Sequence, residues 1–424
     1  MTKMKDSGVK WIGQIPEDWR VVRVKDVFYR SQEKAKQEDP VILSLARSGV
    51  KVRDITSNEG QVAASYFDYN PVKKGDLLLN PMDLYSGANC NYSRVEGVIS
   101  PAYVNLRPKN SKVDSRFYDY YFKCQYWAMT FFAHGKGVSF DNRWTLNNET
   151  LMNYFIPQAT HEKQKKIADF LDKKCGEIDE LIAIQEKEIE KLKEYKTSVI
   201  TKAVTKGLDD SVPMKDSGID WIGKIPAHWN IIQTKRITKN HLQGYYDSDG
   251  YSDVGYRLLR ITDLEEDGKL SVNNAPFVKE SKGIQNFLLT KGDFCFARTG
   301  GAGLFGFVSD DLEPSVFASY LIRFRFINQH NEFLKYIFLS YGFQKEIDSL
   351  IHGAVNRNVH AENILETHIA LPPVDEQILI TKHLDKKCVA INNLILQKQQ
   401  KIEKLQEYKK SLIYEYVTGK KEVI

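Results

Sequence analysis

The chain has 424 residues, 42% of them hydrophobic and 27% charged, the composition of a soluble globular protein with room for two or three domains. No apolar run approaches the roughly 20 residues a membrane span needs, and the start Met1-Thr2-Lys3-Met4-Lys5-Asp6 has no apolar core behind it; five scattered cysteines without a C-x-x-C pair argue against a disulfide framework or zinc site, so a cytoplasmic protein with no membrane contact is expected. The net charge of +5 is too small to mark a nucleic-acid binder; residues 1–160 carry 22 Lys/Arg against 17 Asp/Glu and residues 208–372 carry 17 against 21, so the second half can meet a polyanion only through a local basic patch.

In chain order, the first distinctive stretch is MKDSGVKWIGQIPEDW at Met4–Trp19, which returns as MKDSGIDWIGKIPAHW at Met214–Trp229 with eleven of sixteen positions identical. Next, the Lys-Gly-Asp of VKKGDLLLN (72–80) reads as a turn feeding a strand, SPAYVNLRP (100–108) as a strand and FYDYYF (117–122) as a short helix. HGKGVSFDNRW (134–144) is a loop, and FIP (155–157) leads into a segment dense in Lys, Glu, Leu and Ile with no internal proline. That segment places Leu171, Cys175, Ile178, Ile182, Gln185, Ile189, Leu192, Lys196 and Val199 on one seam with a period of roughly 3.5 residues, the mark of a coiled coil. From Ile167 to Val204 such a helix is about 57 Å long.

The second half repeats the skeleton: LTKGDFCFA (289–297), FASYLIRFR (317–325), FLKYIF (333–338), the loop HGAVNRNVH (352–360) and ALPP (370–373). The seam returns as Leu384, Cys388, Ile391, Ile395, Lys398, Ile402, Leu405, Lys409 and Leu412, and LDKKC occurs at both 171–175 and 384–388. A unit of about 212 residues therefore occurs twice. The fold expected is α+β: two mixed α/β domains rich in short strands at 1–160 and 208–372, and two long helices at 161–207 and 373–424. The helices pack on each other through Leu171, Ile178, Ile182, Ile189 and Leu192 and through Leu384, Ile391, Ile395, Ile402 and Leu405. The framework repeats while the surfaces between differ, as two different reading heads on one symmetric frame require.

Motifs for catalysis are weak. GAGLFG (301–306) matches G-x-G-x-x-G, but FVSDDLEPS follows it instead of a helix, so a turn between two strands is expected. NPMD (80–83) departs from the N-P-P-aromatic signature of amino-methyltransferases at Met82 and Asp83. The histidines make no metal-ligand spacing, and Asp209-Asp210 and Glu265-Glu266-Asp267 lie in turn-like polar runs. No catalytic site or metal site is expected.

The duplicated MKDSGxxWIGxIPxxW, the LPPxxEQ-like lead-in at Leu371–Gln377, the LDKKC helices and the doubled layout together resemble the specificity subunit of type I restriction–modification systems. The resemblance covers essentially the whole chain; the first lead-in, Ile156–Gln164, departs from the pattern. It implies two target-recognition domains, each reading one part of a split double-stranded DNA sequence. It also implies an antiparallel coiled coil that spaces them in a pseudo-two-fold frame, and no catalysis or cofactor in this subunit. The partners it implies are two methyltransferase subunits using S-adenosylmethionine and ATP- and Mg2+-dependent restriction/translocase subunits.

Phosphates are met by Lys, Arg and small donors, and base edges by Arg, Lys, Asn, Gln or Ser/Thr. The candidates of these types are Arg47, Ser48, Lys51, Lys136, Ser139, Asn142 and Arg143 in the first half, with Tyr85 added, and Arg298, Thr299, Asn356, Arg357 and Asn358 in the second. Arg143 and Arg357 occupy matched positions and suit the shared frame equally well. Two rival readings stay open: a coiled-coil adaptor with no nucleic-acid role, and a nucleotide-dependent enzyme built on Gly301–Gly306.

Overall fold

The computed structural model describes residues 3–55, 63–82, 84, 89–137, 144–246, 250–301, 303–310, 312–350 and 358–423. The chain divides into two units, Met1–Gln185 with Gln400–Ile424, and Glu186–Gln399.

In the first unit, Met4–Asp6 pairs antiparallel with Gln14–Pro16, and Arg20–Arg23 pairs antiparallel with Phe155–Gln158, so the globular part closes on its own beginning. Between them lies a four-stranded antiparallel sheet in the order Phe28–Arg30, Val104–Pro108, Leu77–Leu79, Cys90–Tyr92. The run Leu77-Leu78-Leu79 is buried throughout because both faces of this strand are covered. Leu77 and Leu79 pack with Phe117, Tyr121 and Phe122 of the helix Ser115–Trp127, while Leu78 points the other way into a smaller core with Leu43, Leu45, Val72 and Ile99.

The second unit builds the same sheet from Thr238–Gln243, Leu321–Phe326, Phe294–Ala297 and Phe305–Phe307, in that order. Asn230–Gln233 pairs with His368–Leu371 as its closing ribbon. Phe294 and Phe296 face a phenylalanine cluster with Phe305, Phe324, Phe326 and Phe338, while Cys295 and Ala297 face Leu259, Leu264 and Phe317. The outer face differs between the units. The first carries the hairpin Leu43–Ala46/Gly49–Val52; the second carries a three-stranded sheet, Phe277–Val278, Tyr256–Leu259 and Ser315–Phe317, whose last pair is parallel. Register corrects one alignment read from sequence. Leu77 opposes Leu106 and Phe294 opposes Phe324, so Arg107 matches Arg325, one position beyond the match of 100–108 with 317–325. A one-residue slip would turn the core face outward.

The long helices run His161–Lys206 and Val374–Val417. Each ends at a glycine in the left-handed region, Gly207 at φ +76° and Gly419 at φ +70°, where a side chain would be strained. All nine seam positions of each helix are buried or half-buried, whereas Leu181 and Ile184, off the seam, are exposed. Polar interruptions of the seam are partnered. In the first unit Lys409 Nζ donates to Asp179 at 2.6 and 2.7 Å, and the Phe170 ring meets Tyr416. In the second, Lys196 Nζ donates to Asn392 Oδ1 at 3.0 Å and Lys398 Nζ to Glu188 at 2.6 Å. Within each unit, rising numbers on one helix meet falling numbers on the other, so the segments are antiparallel. No described helix is long and apolar enough to cross a membrane.

Candidate nucleic-acid interface

Three contacts repeated in both units hold the loops in place. First, the aspartate of each Lys-Gly-Asp turn accepts from the backbone three residues back, Lys73 N or Thr290 N, both at 2.9 Å. The same carboxylate is clamped in a bidentate pair, Asp76 by Arg107 at 2.8 and 2.9 Å and Asp293 by Arg325 at 2.7 and 3.0 Å. The hydrogen bond to aspartate, above all, raises both guanidinium pKa values. Second, the domain helix is tied to the long helix by Tyr120 Oη to Asp172 at 2.8 Å and by Tyr336 Oη to Asp385 at 2.5 Å; burial pushes both phenols far up. Third, buried Gln164 and Gln377 each accept from a domain backbone N–H, Asp114 or His330, at 3.0 Å and donate to the lead-in carbonyl of Ala159 or Pro372.

On this frame the loop leaving the third strand of each sheet is pinched shut, by Asn80 N to Asn89 O at 2.9 Å in the first unit and by Ala297 N to Leu304 O at 2.8 Å in the second. Each loop then meets a segment from far along the chain. Leu146 N donates to Pro81 O, and Val359 N to Arg298 O, both at 2.8 Å. The described ends of the stretches singled out from sequence in each half are therefore neighbours.

In the first unit Lys136 is exposed at this junction and bonded through its backbone to Thr145. Tyr85, Ser139, Asn142 and Arg143 lie outside the described residues. Arg47 and Ser48 form the exposed turn of the hairpin and Lys51 lies on its second strand; Asn91 Nδ2 donates to Ala46 O at 2.8 Å and docks the hairpin beside the end of the 80–89 loop. In the second unit the structure brings Arg298, Thr299 and Asn358 together: Thr299 Oγ1 donates to Asn358 Oδ1 at 2.8 Å. The Arg298 guanidinium has no hydrogen-bonding partner among the described residues. Asn356 and Arg357 lie outside them. The sequence reading passed over Tyr246 and Tyr320, exposed at 76% and 60%. Tyr320 lends its carbonyl to Arg298 N at 2.8 Å, and Tyr246 follows the bridge Tyr245–Ala318. The signal available for Tyr246 was the Tyr/Ser/Asp/Gly-rich run HLQGYYDSDGYSD.

Phe294–Ala297 and Phe305–Phe307 pair antiparallel, so GAGLFG belongs to a strand–strand connection with no helix behind it to receive phosphates. All five cysteines are buried; burial pushes the Cys124 thiol up to about 12 and Cys175 to about 11, far from nucleophile behaviour. Among the described residues no group of three His, Cys, Asp or Glu side chains is arranged to hold a metal.

The sequence profile of the type I restriction modification DNA specificity domain matches residues 16–194 and 255–404. The chain belongs to this DNA specificity family. The two matches fall largely one in each unit. The MjaVIII specificity subunit from Methanocaldococcus jannaschii is 25% identical over 427 residues, 96% of this chain and 94% of that one. The EcoBI specificity subunit from Escherichia coli is 24% identical over 306 residues, 68% of this chain and 60% of that one. A solved chain from work on complex assembly and conformational transition of the type I R-M system shares the fold, with a TM-score of 0.70 at 12% identity over 95% of this chain and 98% of that one. Type I DNA specificity chains form complexes with DNA and with modification and restriction subunits, and they target without catalysing.

Proposed function

We propose that this chain reads a bipartite DNA target, one half-site per globular part, and presents it to two copies of a methyltransferase subunit and to restriction subunits. The observation that carries the reading is the contrast within the repeat. The Asp–Arg clamp, the Tyr–Asp tie and the buried glutamine recur, while the loops they hold differ. Backbone contacts place the loops; Arg, Lys, Thr and Asn on them meet phosphates and base edges.

Two partner copies are supported by a second repeated feature. Leu181 and Tyr408 are exposed on the flank of the helix pair in the first unit, level with the Asp179–Lys409 bond. Tyr195 and Leu394 are exposed in the second, level with Lys196–Asn392. The repeat shift of 213 interchanges these pairs, so one partner surface suits both. S-adenosylmethionine, ATP and Mg2+ belong to the partners, and the complex works in the cytoplasm, where they meet the DNA.

Co-purification with a type I modification subunit, followed by mapping of methylated adenines, tests the reading. A split target and two partner copies per chain are expected. Sequence-independent methylation, or methyl transfer by the chain alone, would overturn it.

A further inference from the structure

We propose that Thr299 is a positioning residue for base reading, and that Asn358, oriented by it, selects one base of the half-site read by the second domain. The assignment rests on the DNA-reading function above.

Thr299 and Asn358 stand 59 positions apart and meet through side chains, Oγ1 to Oδ1 at 2.8 Å, across an isolated antiparallel bridge. Beside them the backbone contact Val359 N to Arg298 O repeats, in the second unit, the contact Leu146 N to Pro81 O of the first. The side chains do not repeat. Where the second unit has Thr299 and Asn358, the matched positions of the first hold Met82 and Thr145, and the Thr145 hydroxyl turns to the Lys136 carbonyl at 3.3 Å instead. A contact that belonged to the frame would recur; this one is particular to one reading head.

Its chemistry has a direction. A free asparagine side chain can flip, offering either its carbonyl or its NH2 group to a base edge. The Thr299 hydroxyl, by donating to Oδ1, holds the carbonyl end inward. The NH2 group, which has no acceptor among the described residues, is left as the leading edge. A donor-led amide suits a major-groove edge that carries acceptors, guanine O6/N7 or thymine O4. It is opposed by cytosine, whose edge there is the N4 donor. Arg298, adjacent and without a described partner for its guanidinium, supplies a second donor group on the same side of the preference.

The test uses the full-length chain assembled with its modification partner, with methylation mapped on a duplex library randomised over the target. Thr299→Val keeps the shape and removes the hydroxyl. It is expected to relax a guanine-or-thymine over cytosine preference at one base pair of the second half-site by on the order of tenfold, with the first half-site unchanged as the control for folding. Thr299→Ser, which keeps the hydroxyl, is expected to retain the preference, and Asn358→Ala to abolish it at the same base pair. A Thr299→Val complex with every position unmoved, or with methylation lowered evenly over all second half-site sequences, would overturn the proposal. A wild-type complex with no split target would overturn the DNA-reading function itself, a result distinct from either.

Discussion

Tyr120 and Tyr336 each donate a phenol proton to an aspartate on a long helix. Tyr120→Phe and Tyr336→Phe keep the ring and lose a bond to a charged acceptor. Each is expected to cost about 1.5–3 kcal/mol by urea unfolding, with similar values because the contact is the same. Asp293 has a side chain only 2% exposed, and Arg325 is its ion-pair partner. Asp293→Ala leaves that cation without its carboxylate and the Thr290 N–H without an acceptor, and is expected to cost about 3 kcal/mol. One carboxylate adds a pH dependence. Hydrogen bonds from Lys165, then Arg116, hold the Asp169 carboxyl below its ordinary range. Its contribution is therefore present above the ordinary carboxylate pKa of about 4 and is lost as pH falls through the lowered value. Asp169→Asn should flatten the acid limb of a stability–pH curve and leave the neutral region's slope unchanged. Residues of this kind were legible only in part. Tyr120, Asp172, Arg107 and Asp76 stand in stretches the repeat made visible, but pairing Asp76 with Arg107 needs the sheet register, which a period of two conceals from alignment by eye, and pairing Tyr120 with Asp172 needs the packing of one helix on another.

The long helices were the most legible elements, because a seam repeated over nine positions and then repeated again in the same chain leaves little room for another period. The prediction at this scale contrasts two apolar residues on one helix. Leu171 is fully buried, and Leu171→Ala is expected to cost about 2–4 kcal/mol. Ile184 is 51% exposed, and Ile184→Ala should stay within about 0.5 kcal/mol. Thermal denaturation of the two variants side by side checks it. The lead-in of the second helix carries a different demand: Glu376 accepts from the Trp229 indole at 3.1 Å and pairs with His228 at 2.8 Å. Glu376→Gln keeps an acceptor, whereas Glu376→Ala strands a buried indole N–H and should cost about 1–3 kcal/mol more. Short strands such as Leu77–Leu79 were placed correctly from their Lys-Gly-Asp turns. The three-stranded sheet on the outer face of the second unit was not, because its strands come from three separated stretches and one pair is parallel, with no local turn to announce it.

For the molecule as a whole, the Gly-, Asn- and Arg-rich stretches 134–144 and 352–360 lie largely outside the described residues, and the meeting of Thr299 with Asn358 is a long-range fact that no local pattern contains. DNA binding by the assembled complex should fall with salt, each phosphate contact adding roughly 0.9 to the log–log slope. A flat dependence measured by fluorescence anisotropy would favour an adaptor with no nucleic-acid role. The two frames also differ in one polarity: Asp18 pairs with Lys163 at 2.7 Å in the first, while His228 pairs with Glu376 in the second. The second tryptophan of each repeated opening stretch, Trp19 or Trp229, is buried beside this pair and against the glycine that ends a long helix. That placement makes each indole an optical gauge of its own unit. Shielded from water, it emits at short wavelength; when the opening stretch lifts from the helix end, water reaches it and the emission moves to the red. A chain in which Trp229 is the last of the six tryptophans to survive substitution by phenylalanine would report that lifting in the second unit alone, and its Trp19 counterpart the same event in the first, so the two reading heads can be watched loosening one at a time in light.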